Sequence, residues 1–412
     1  MEVDFFQLKR VSEAQRIFLE ACPQGPLGYE SVALLDATGR VLAEPVRSQE
    51  DLPGFDRSTV DGYAVRAADT FGASAALPAY LRIADDIPMG QAANRPLGPG
   101  ECARIATGGM LPPGADAVVM AEHTDLIAGD EVGIVRPAAP GTNVIRRGED
   151  CPAGGVLVEA GTMLRPQEVA LLAHAGVTRV KVARRPRVAI LSTGDELVPP
   201  DTSPAPGQIR ESNSFALCGL VTASGAEPVL LGHAPDEVAA IRAKLQAGLA
   251  ADVVLISGGS SVGVRDMTAA VLDELGPPGV LVHGVALKPA KPTILAVAGT
   301  KPVVGLPGNP VSAHVSFLLF VQPTIRRLLG MAPFQPRWAA IRARLSKNYP
   351  SAAGRVDVLR VALVERDGEL WAEPVQGKSG LISTLTSANG MVIIEETQEG
   401  LTAGQWVDVW PI

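Results

Sequence analysis

The sequence predicts a multidomain α/β plus β protein, on three observations. From Arg187 to Gly330 buried-type strands (RVAILST, PVLLG, VVLIS, PVVGLP) alternate with helical runs at the spacing of βαβ units. Between Arg47 and Pro140, short Val/Ile/Leu runs are cut by proline and glycine, as in LPGFDRS, IPMG, RPLGPGE and MLPPGADA, which reads as an irregular β-rich domain. After Gly330 the pattern turns to β again, with ERDGEL as a hairpin signal.

Taken in order, residues 4–22 have a helical apolar stripe (Phe5, Leu8, Val11, Ala14, Phe18, Ala21) that CPQGPLG ends. Tyr29 to Val46 alternates like strands around the turn at Thr38-Gly39. Residues 141–183 add short strands and a helix opened by Pro166 at its first turn. The expected division is a mixed N-terminal linker domain (1–46 and 141–183), an inserted β-rich domain (47–140), an α/β domain (184–330) and a small C-terminal β domain (331–412). Within the insert, Tyr63 reads as core and Gly62 as a turn, and Thr107-Gly108-Gly109 as a loop ahead of AVVM. Within the α/β domain, Asp236 is placed to cap the helix DEVAAIRAKLQAGLA, a helix begins near Asp266, and a long one follows the turn GNP.

Composition narrows the function. With 47% apolar and 19% charged residues among 412, the chain can build real cores. Its net charge of −8 argues against a general nucleic-acid surface and leaves room for a small anionic ligand where lysines and arginines gather. The start, MEVDFFQLKR, lacks a signal-peptide pattern and no apolar run reaches membrane-spanning length, so a cytoplasmic protein without membrane partners is expected. Cys22, Cys102, Cys151 and Cys218 are far apart and read as buried free thiols. The five histidines are scattered and read as structural.

In an open α/β sheet the ligand crevice lies at the strand carboxyl ends. The loops STGDEL, HAPDE, SGGSSVGVRD and LPGNPVS therefore share one rim. The turn GGSSVG can hold phosphate, because glycines admit close backbone approach and serines add donors. The rim carries Asp195, Glu196, Asp236 and Asp266, which suit a hard cation such as Mg2+. Beside it LKPAKP presents Lys288 and Lys291 from a segment expected to be stiff and extended, fit for an oxyanion. There is no GxxxxGK[ST] and no GxGxxG, so neither a P-loop nor a dinucleotide fingerprint is present.

The blocks DRSTVDGYAV, TGGMLPPGADAVV, NVIRRGEDCPAGG, PRVAILSTGDELV, VVLISGGSSVGVRD, LKPAKP and LPGNPVSA resemble, in order, those of the MoeA family of molybdopterin molybdenumtransferases. The resemblance covers nearly the whole chain. It implies a MogA-like α/β sandwich domain, a C-terminal β-barrel-like domain, and a homodimer with active sites shared between subunits. It also implies the last step of molybdenum cofactor assembly: magnesium-dependent insertion of molybdate into adenylylated molybdopterin with release of AMP. The adenylyltransferase that supplies the pterin is a possible partner. Carried over by position, Asp61, Thr107, Glu196, Asp236 and Asp266 match catalytic positions, with Asp266 and Glu196 toward the metal. Gly258, Gly259, Ser260, Ser261, Pro307 and Pro310 match the pterin phosphate turn and the proline loop. Lys288, Lys291, Ser312, Arg355 and Ser379 match molybdate positions, with Arg360 close to Arg355 in the same strand pattern. Three positions depart from the family: Ser260 where valine is frequent, Val264 where an acid is common, and Ala290 for the glycine of KPGKP, a change expected only to stiffen the segment. Two other readings stay open. One is a pyrophosphate hydrolase of the related competence-protein type, against which the DGYAV and TGGMLPPGADAV blocks speak. The other is a scaffolding role, for which no fused partner domain appears.

Overall fold

A computed structural model of the chain describes residues 8–127, 129–258, 262–334 and 340–412. The chain divides into two compact units, Met1–Ser31 with Gly39–Ala43 and Lys181–Ile412, and Val32–Thr38 with Glu44–Val180.

The first unit is built on a six-stranded sheet. Its elements are β1 (Arg187–Thr193), α1 (Asn213–Ala223), β2 (Glu227–Ala234), α2 (Val238–Gly248), β3 (Val253–Gly258), α3 (Val262–Glu274), β4 (Pro278–His283), β5 (Ile294–Ala298) and β6 (Lys301–Pro307). The spatial order is β2-β1-β3-β6-β5-β4. The first four strands run parallel, and β5 and β4 pair antiparallel at the far edge. β1 and β3 are buried almost end to end, as the continuous runs VAILST and VVLIS require of strands covered on both faces. Ala189, Leu191, Val254 and Ile256 meet Ile241, Leu245 and Leu272 from the helices in the core.

Register fixes the rim. Thr193 pairs with Ala234, Ser192 with Ser257 and Gly258 with Pro307, so the carboxyl ends of β2, β1, β3 and β6 lie in a row. The helix after β6 runs Pro310–Ser316, widens to a π turn over Phe317–Val321 and returns to α over Gln322–Leu328. Pro323 explains the widening, since it offers no N–H to the Leu319 carbonyl. That carbonyl instead accepts from Gln15 Nε2 at 2.9 Å.

Beyond it, β7 (Ile341–Leu345), β8 (Val356–Arg366), β9 (Glu369–Pro374), β10 (Gly390–Ile394) and β11 (Trp406–Pro411) close on themselves in the order β8-β9-β7-β11-β10-β8. Leu345, Leu359, Val361, Val392 and Val409 fill this small barrel. The ERDGEL hairpin is present, with Asp367 and Gly368 at φ 51° and 78°, the two positive values a tight hairpin turn demands. Leu287–Lys288 adds a parallel edge to β8, so that Lys288 lies opposite Asp357.

The second unit holds a sheet in the order Ala117–Met120, Gly62–Val65, Glu101–Ile105, Ala79–Ile87, Glu131–Ile134, Thr124–Leu126. Tyr63, Val65, Leu81, Cys102, Val119 and Ile134 form its core. The helix Pro166–His174 has the expected proline at its start.

Several boundaries differ from the sequence expectation. Of the helix expected over 4–22, residues 4–7 lie outside the described residues, and the helix spans Val11–Ala21, because the backbone of Lys9 is engaged with Gly284 and Ala286 as an extended partner. Tyr29 to Val46 is not strand throughout: a strand over Tyr29–Ala33 gives way to a 3₁₀ turn at Leu34–Asp36. Asp236 does not cap α2, whose N-cap residue is Glu237. α3 begins at Val262, so Asp266 lies inside the helix rather than at its start. Gly62 opens a strand instead of a turn, and a Cβ there would lie 1.9 Å from the Val119 carbonyl oxygen.

Candidate active site

The rim of the first unit divides into an acidic corner and a cationic cavity. At the corner, Asp195 Oδ1 accepts from the backbone N–H of Asp236 at 3.0 Å. Burial pushes the Asp236 carboxyl above its ordinary 3.8, and the negative charges of Asp195 and Glu196 push the same way. Asp236 Oδ1 is buried and has no hydrogen-bond partner; the Thr193 hydroxyl, near enough to favour the carboxylate electrostatically, also lacks hydrogen-bond geometry to it. A desolvated carboxylate oxygen beside two further acids suits a hard cation completed by substrate oxygens and water. Among the described residues no three acids, histidines or cysteines stand close enough to hold a metal by themselves. Asp266 is exposed on α3, and the charges acting on Asp236 are Asp195 and Glu196, opposed by His233, and not Asp266.

The turn beside this corner requires glycine. Gly258 has φ 155°, and a Cβ on it would lie 2.1 Å from Thr193 Oγ1 and 2.4 Å from the Thr193 carbonyl oxygen. Gly259, Ser260 and Ser261 lie outside the described residues. The ends of β3 and β6 are braced by the start of α1, a helix read from the sequence without this role. Asn213 Nδ2 donates to Ser257 Oγ at 2.9 Å and to the Gly308 carbonyl at 2.8 Å, tying the ends of β3 and β6. Glu211 accepts from Ser192 Oγ at 3.0 Å and from the Ser214 N–H at 2.8 Å, which caps α1. The polar run RESNS before an apolar helix is the signal that could have marked it.

The cavity, about 590 Å³, opens where the loop after β6 meets the barrel. It brings together Lys288, Lys291, Pro307, Ser312, Arg355 and Ser379, residues drawn from four separate stretches of sequence. Pro310 occupies the first turn of the adjoining helix, and Val311 N–H donates to the Ser379 carbonyl at 3.1 Å, locking the Ser379 loop to that helix. Ser312 is 4% exposed. Five cationic side chains line the cavity (Lys288, Lys291, Arg355, Arg360, Lys378) against one carboxylate, Asp357. Lys288 Nζ donates to Asp357 Oδ2 at 2.9 Å and stands 5.7 Å from the Tyr349 ring centre. Ser351 Oγ donates to the same oxygen at 3.2 Å. Asp357 is 1% exposed, so Lys288 compensates a buried charge, while the Lys291 side chain forms no hydrogen bond or ion pair among the described residues.

The lysine segment is not extended. Lys288–Pro289 is cis, Ala290 has φ 96°, and Val285 N–H and Thr293 N–H close a tight turn onto the Lys291 and Ala290 carbonyls. At that φ an L side chain is strained, so alanine in place of the family's glycine imposes a steric cost instead of merely stiffening the chain. The motif reading did not name Asp357 or Lys378 and named Arg360 only beside Arg355; Asp357 and Arg360 lie on one strand, β8. Their signal is two charges inside the apolar strand VDVLRVALV.

In the second unit the motif blocks also converge. Thr107 N–H and Thr107 Oγ1 donate to Asp61 Oδ1 at 2.7 and 2.9 Å, holding the Asp61 carboxyl below its ordinary 3.8. Ser58 exchanges backbone bonds with Gly108 and Gly109, Ser58 and Arg57 pair with Val144 and Ile145, and Asp56 accepts from Arg147 N–H at 2.7 Å. DRSTVDGY, TGGM and NVIRRGED thus form one exposed polar platform.

Comparison with known proteins agrees with this architecture. Family models described as MoeA N-terminal region (domain I and II), probable molybdopterin binding domain and MoeA C-terminal region (domain IV) match residues 9–176, 189–327 and 342–412. A Mycobacterium tuberculosis protein named molybdopterin molybdenumtransferase 2 is 38% identical, over 98% of this chain and all of its own length. The Bacillus subtilis molybdopterin molybdenumtransferase is 37% identical over 97% of this chain and 93% of its own. The crystal structure of the molybdopterin biosynthesis moeA protein from Pyrococcus horikoshii OT3 superposes with a TM-score of 0.83 at 33% identity, covering 98% of this chain and 100% of that one.

Proposed function

Because the chain belongs to the MoeA family, we propose that it is a molybdopterin molybdenumtransferase of molybdenum cofactor biosynthesis, inserting molybdate into the dithiolene of adenylylated molybdopterin with release of AMP. The observation that carries this reading is the cavity with five cations and one carboxylate, set beside a glycine-dependent strand exit on the same rim. Molybdate is a dianion and needs opposed charge and donors. Lys291, Ser312 and Arg355 supply them, while Lys288 is oriented by Asp357.

The sequence segment GGSS, residues 258–261, is assigned to the pyrophosphate link of the pterin adenylate, and Asn213 ties Ser257 to Gly308 at the ends of β3 and β6. A molybdate oxygen or water attacks the adenylyl phosphorus of that link, the pyrophosphate bond breaks and AMP departs; the two dithiolene sulfurs lose their protons and bond to molybdenum as one molybdate oxygen leaves, on AMP when molybdate is the nucleophile or as water when water is. Glu196 and Asp266 are assigned to Mg2+, and the orphaned Asp236 oxygen supports a cation at this corner. Magnesium, when bound, neutralises phosphate charge and orients the attacking oxygen. No histidine base is invoked.

The four-part division, the homodimer and the cytoplasmic setting belong to the same proposal. Among the described residues no helix is long and apolar enough to cross a membrane. In the dimer, Asp61 and Thr107 complete the cleft of the other subunit. Mixing an Asp61→Asn variant with an Asp236→Asn variant then restores part of the activity each lacks alone; no restoration under subunit exchange contradicts a shared site. The whole reading is tested by incubating the protein with adenylylated molybdopterin and Mg2+, with and without molybdate, and measuring AMP and metal-loaded cofactor. AMP release that ignores molybdate points instead to a hydrolase.

A further inference from the structure

The ladder between β3 and β6 ends at the pair Gly258 and Pro307, and Pro307 has no N–H to give it. A side chain crosses the gap instead. Asn213, the first residue of α1, donates from Nδ2 to Ser257 Oγ at 2.9 Å and to the Gly308 carbonyl at 2.8 Å. A carbonyl only accepts, so the amide nitrogen is the group that faces it, and both of its hydrogens are used. The two strand ends are in close approach, since a Cβ on Gly308 would lie 3.6 Å from the Gly258 Cα. Asn213 is held in its turn by Glu211, which accepts from Ser192 Oγ at 3.0 Å and from the Ser214 N–H at 2.8 Å. Ser192 and Ser257 are register partners on β1 and β3, and both are buried. These hydroxyls, at one level of two apolar strands, anchor the start of α1.

The helix does not need the Asn213 side chain to begin. Glu211 already takes the Ser214 N–H, and the Ser212 carbonyl takes the Ala216 N–H. What the amide does is join two ends that serve different ligands. Gly258 opens the segment assigned to the pyrophosphate link, whereas Pro307, Gly308 and Asn309 line the cationic cavity. The spacing of these ends sets how far molybdate stands from the adenylyl phosphorus. We propose that Asn213 is a positioning residue of the reaction, its amide holding the adenylate side and the molybdate side of the site at the separation that lets them react. It acts through the strand ends and not by contact with either ligand. This rests on the reading of the site given above.

The test uses the full chain, wild type, Asn213→Ala and Ser257→Ala, the last of which spares the bond to Gly308. Calorimetry with adenylylated molybdopterin and Mg2+, without molybdate, counts binding-competent sites and gives the affinity. AMP release at saturating sodium molybdate is then expressed per site. Asn213→Ala is expected to keep the adenylate affinity and the half-saturating molybdate within about threefold, while the rate per site falls about 10- to 100-fold, as for reacting groups displaced by about 1 Å. Ser257→Ala falls between. A role confined to the fold removes sites and leaves the rate per site at the wild-type value, and that result overturns the assignment. So does a half-saturating molybdate raised about tenfold with the rate per site unchanged, which makes Asn213 part of the cavity alone. Where Asn213→Ala presents no sites, Ser257→Ala decides, and a wild-type rate per site in it overturns the assignment. Wild type whose AMP release ignores molybdate overturns the reading of the site itself; wild type that responds confines a failure to Asn213.

Discussion

The acidic corner and the cationic cavity lie on one rim of one sheet, and they solve opposite electrostatic problems. At the corner, burial, reinforced by the like charges of Asp195 and Glu196, leaves the Asp236 carboxyl resisting ionisation. In the cavity, five cations face one acid, and Arg360 is left with open donors. Neither region is comfortable empty, and each lacks what the other's ligand would not supply: the corner wants a cation, the cavity an oxyanion. A substrate carrying phosphates that bind a metal, presented beside a metal oxyanion, satisfies both at once. Positions that look unfavourable in the free protein are therefore the informative ones.

The comparison can be broken from either side. The largest effect is expected at the corner. Asp236→Asn removes a charge that the cation needs, and molybdate-dependent AMP release falls about 100-fold or more, as for loss of one preorganised electrostatic contact. The same variant relieves repulsion, so its ligand-free stability at neutral pH equals or exceeds that of wild type. The pH dependence follows from the raised carboxyl. The folded protein binds this proton more tightly than the unfolded chain, so wild type loses stability relative to Asp236→Asn as the pH rises from 3.8 upward, measured by denaturant unfolding at each pH. A difference that grows toward acid pH in favour of the variant contradicts the assignment.

In the cavity, Lys288→Met removes the ion-pair partner of the buried Asp357 and leaves it the Ser351 hydroxyl and the more distant charge of Arg360. The expected loss of stability in urea is about 2 kcal/mol, below the usual range for a broken buried pair because Lys288 is itself half exposed. Asp357→Asn in the same background should recover most of it. The smallest effect is at Ala290, where φ 96° strains any side chain but is free for glycine. Ala290→Gly gains about 0.5–1 kcal/mol once glycine's own entropy is subtracted. A loss there means the buried methyl group packs better than the backbone suffers.

Much of this was legible in the sequence. The continuous apolar runs of β1 and β3 announce covered parallel strands, and the strand-end rule put STGDEL, HAPDE, the Gly258 turn and LPGNPVS on one rim, where register confirms the row. What escaped was whatever depends on a distant partner. The helical stripe that includes Leu8 could not reveal that Lys9 is held extended by Gly284 and Ala286. LKPAKP looked extended because proline restricts its neighbours, yet the turn is set by carbonyls accepting from Val285 and Thr293. Asp236 looked like a helix cap by position, and its carboxylate serves the corner instead. Arg360 and Asp357 were visible as charges in an apolar strand, but only the barrel's closure shows that they face a cavity.

The central claim is that the cationic cavity is where molybdate binds during turnover. The most direct measurement is AMP release as a function of molybdate concentration, at saturating adenylylated molybdopterin, for wild type and Lys291→Met. Lys291 is exposed and its side chain forms no hydrogen bond or ion pair among the described residues, so its loss disturbs little besides the ligand. Half-saturating molybdate is predicted to rise about tenfold or more, with the maximal rate nearly unchanged. An unchanged half-saturation with a reduced maximal rate would place molybdate elsewhere and contradict the account.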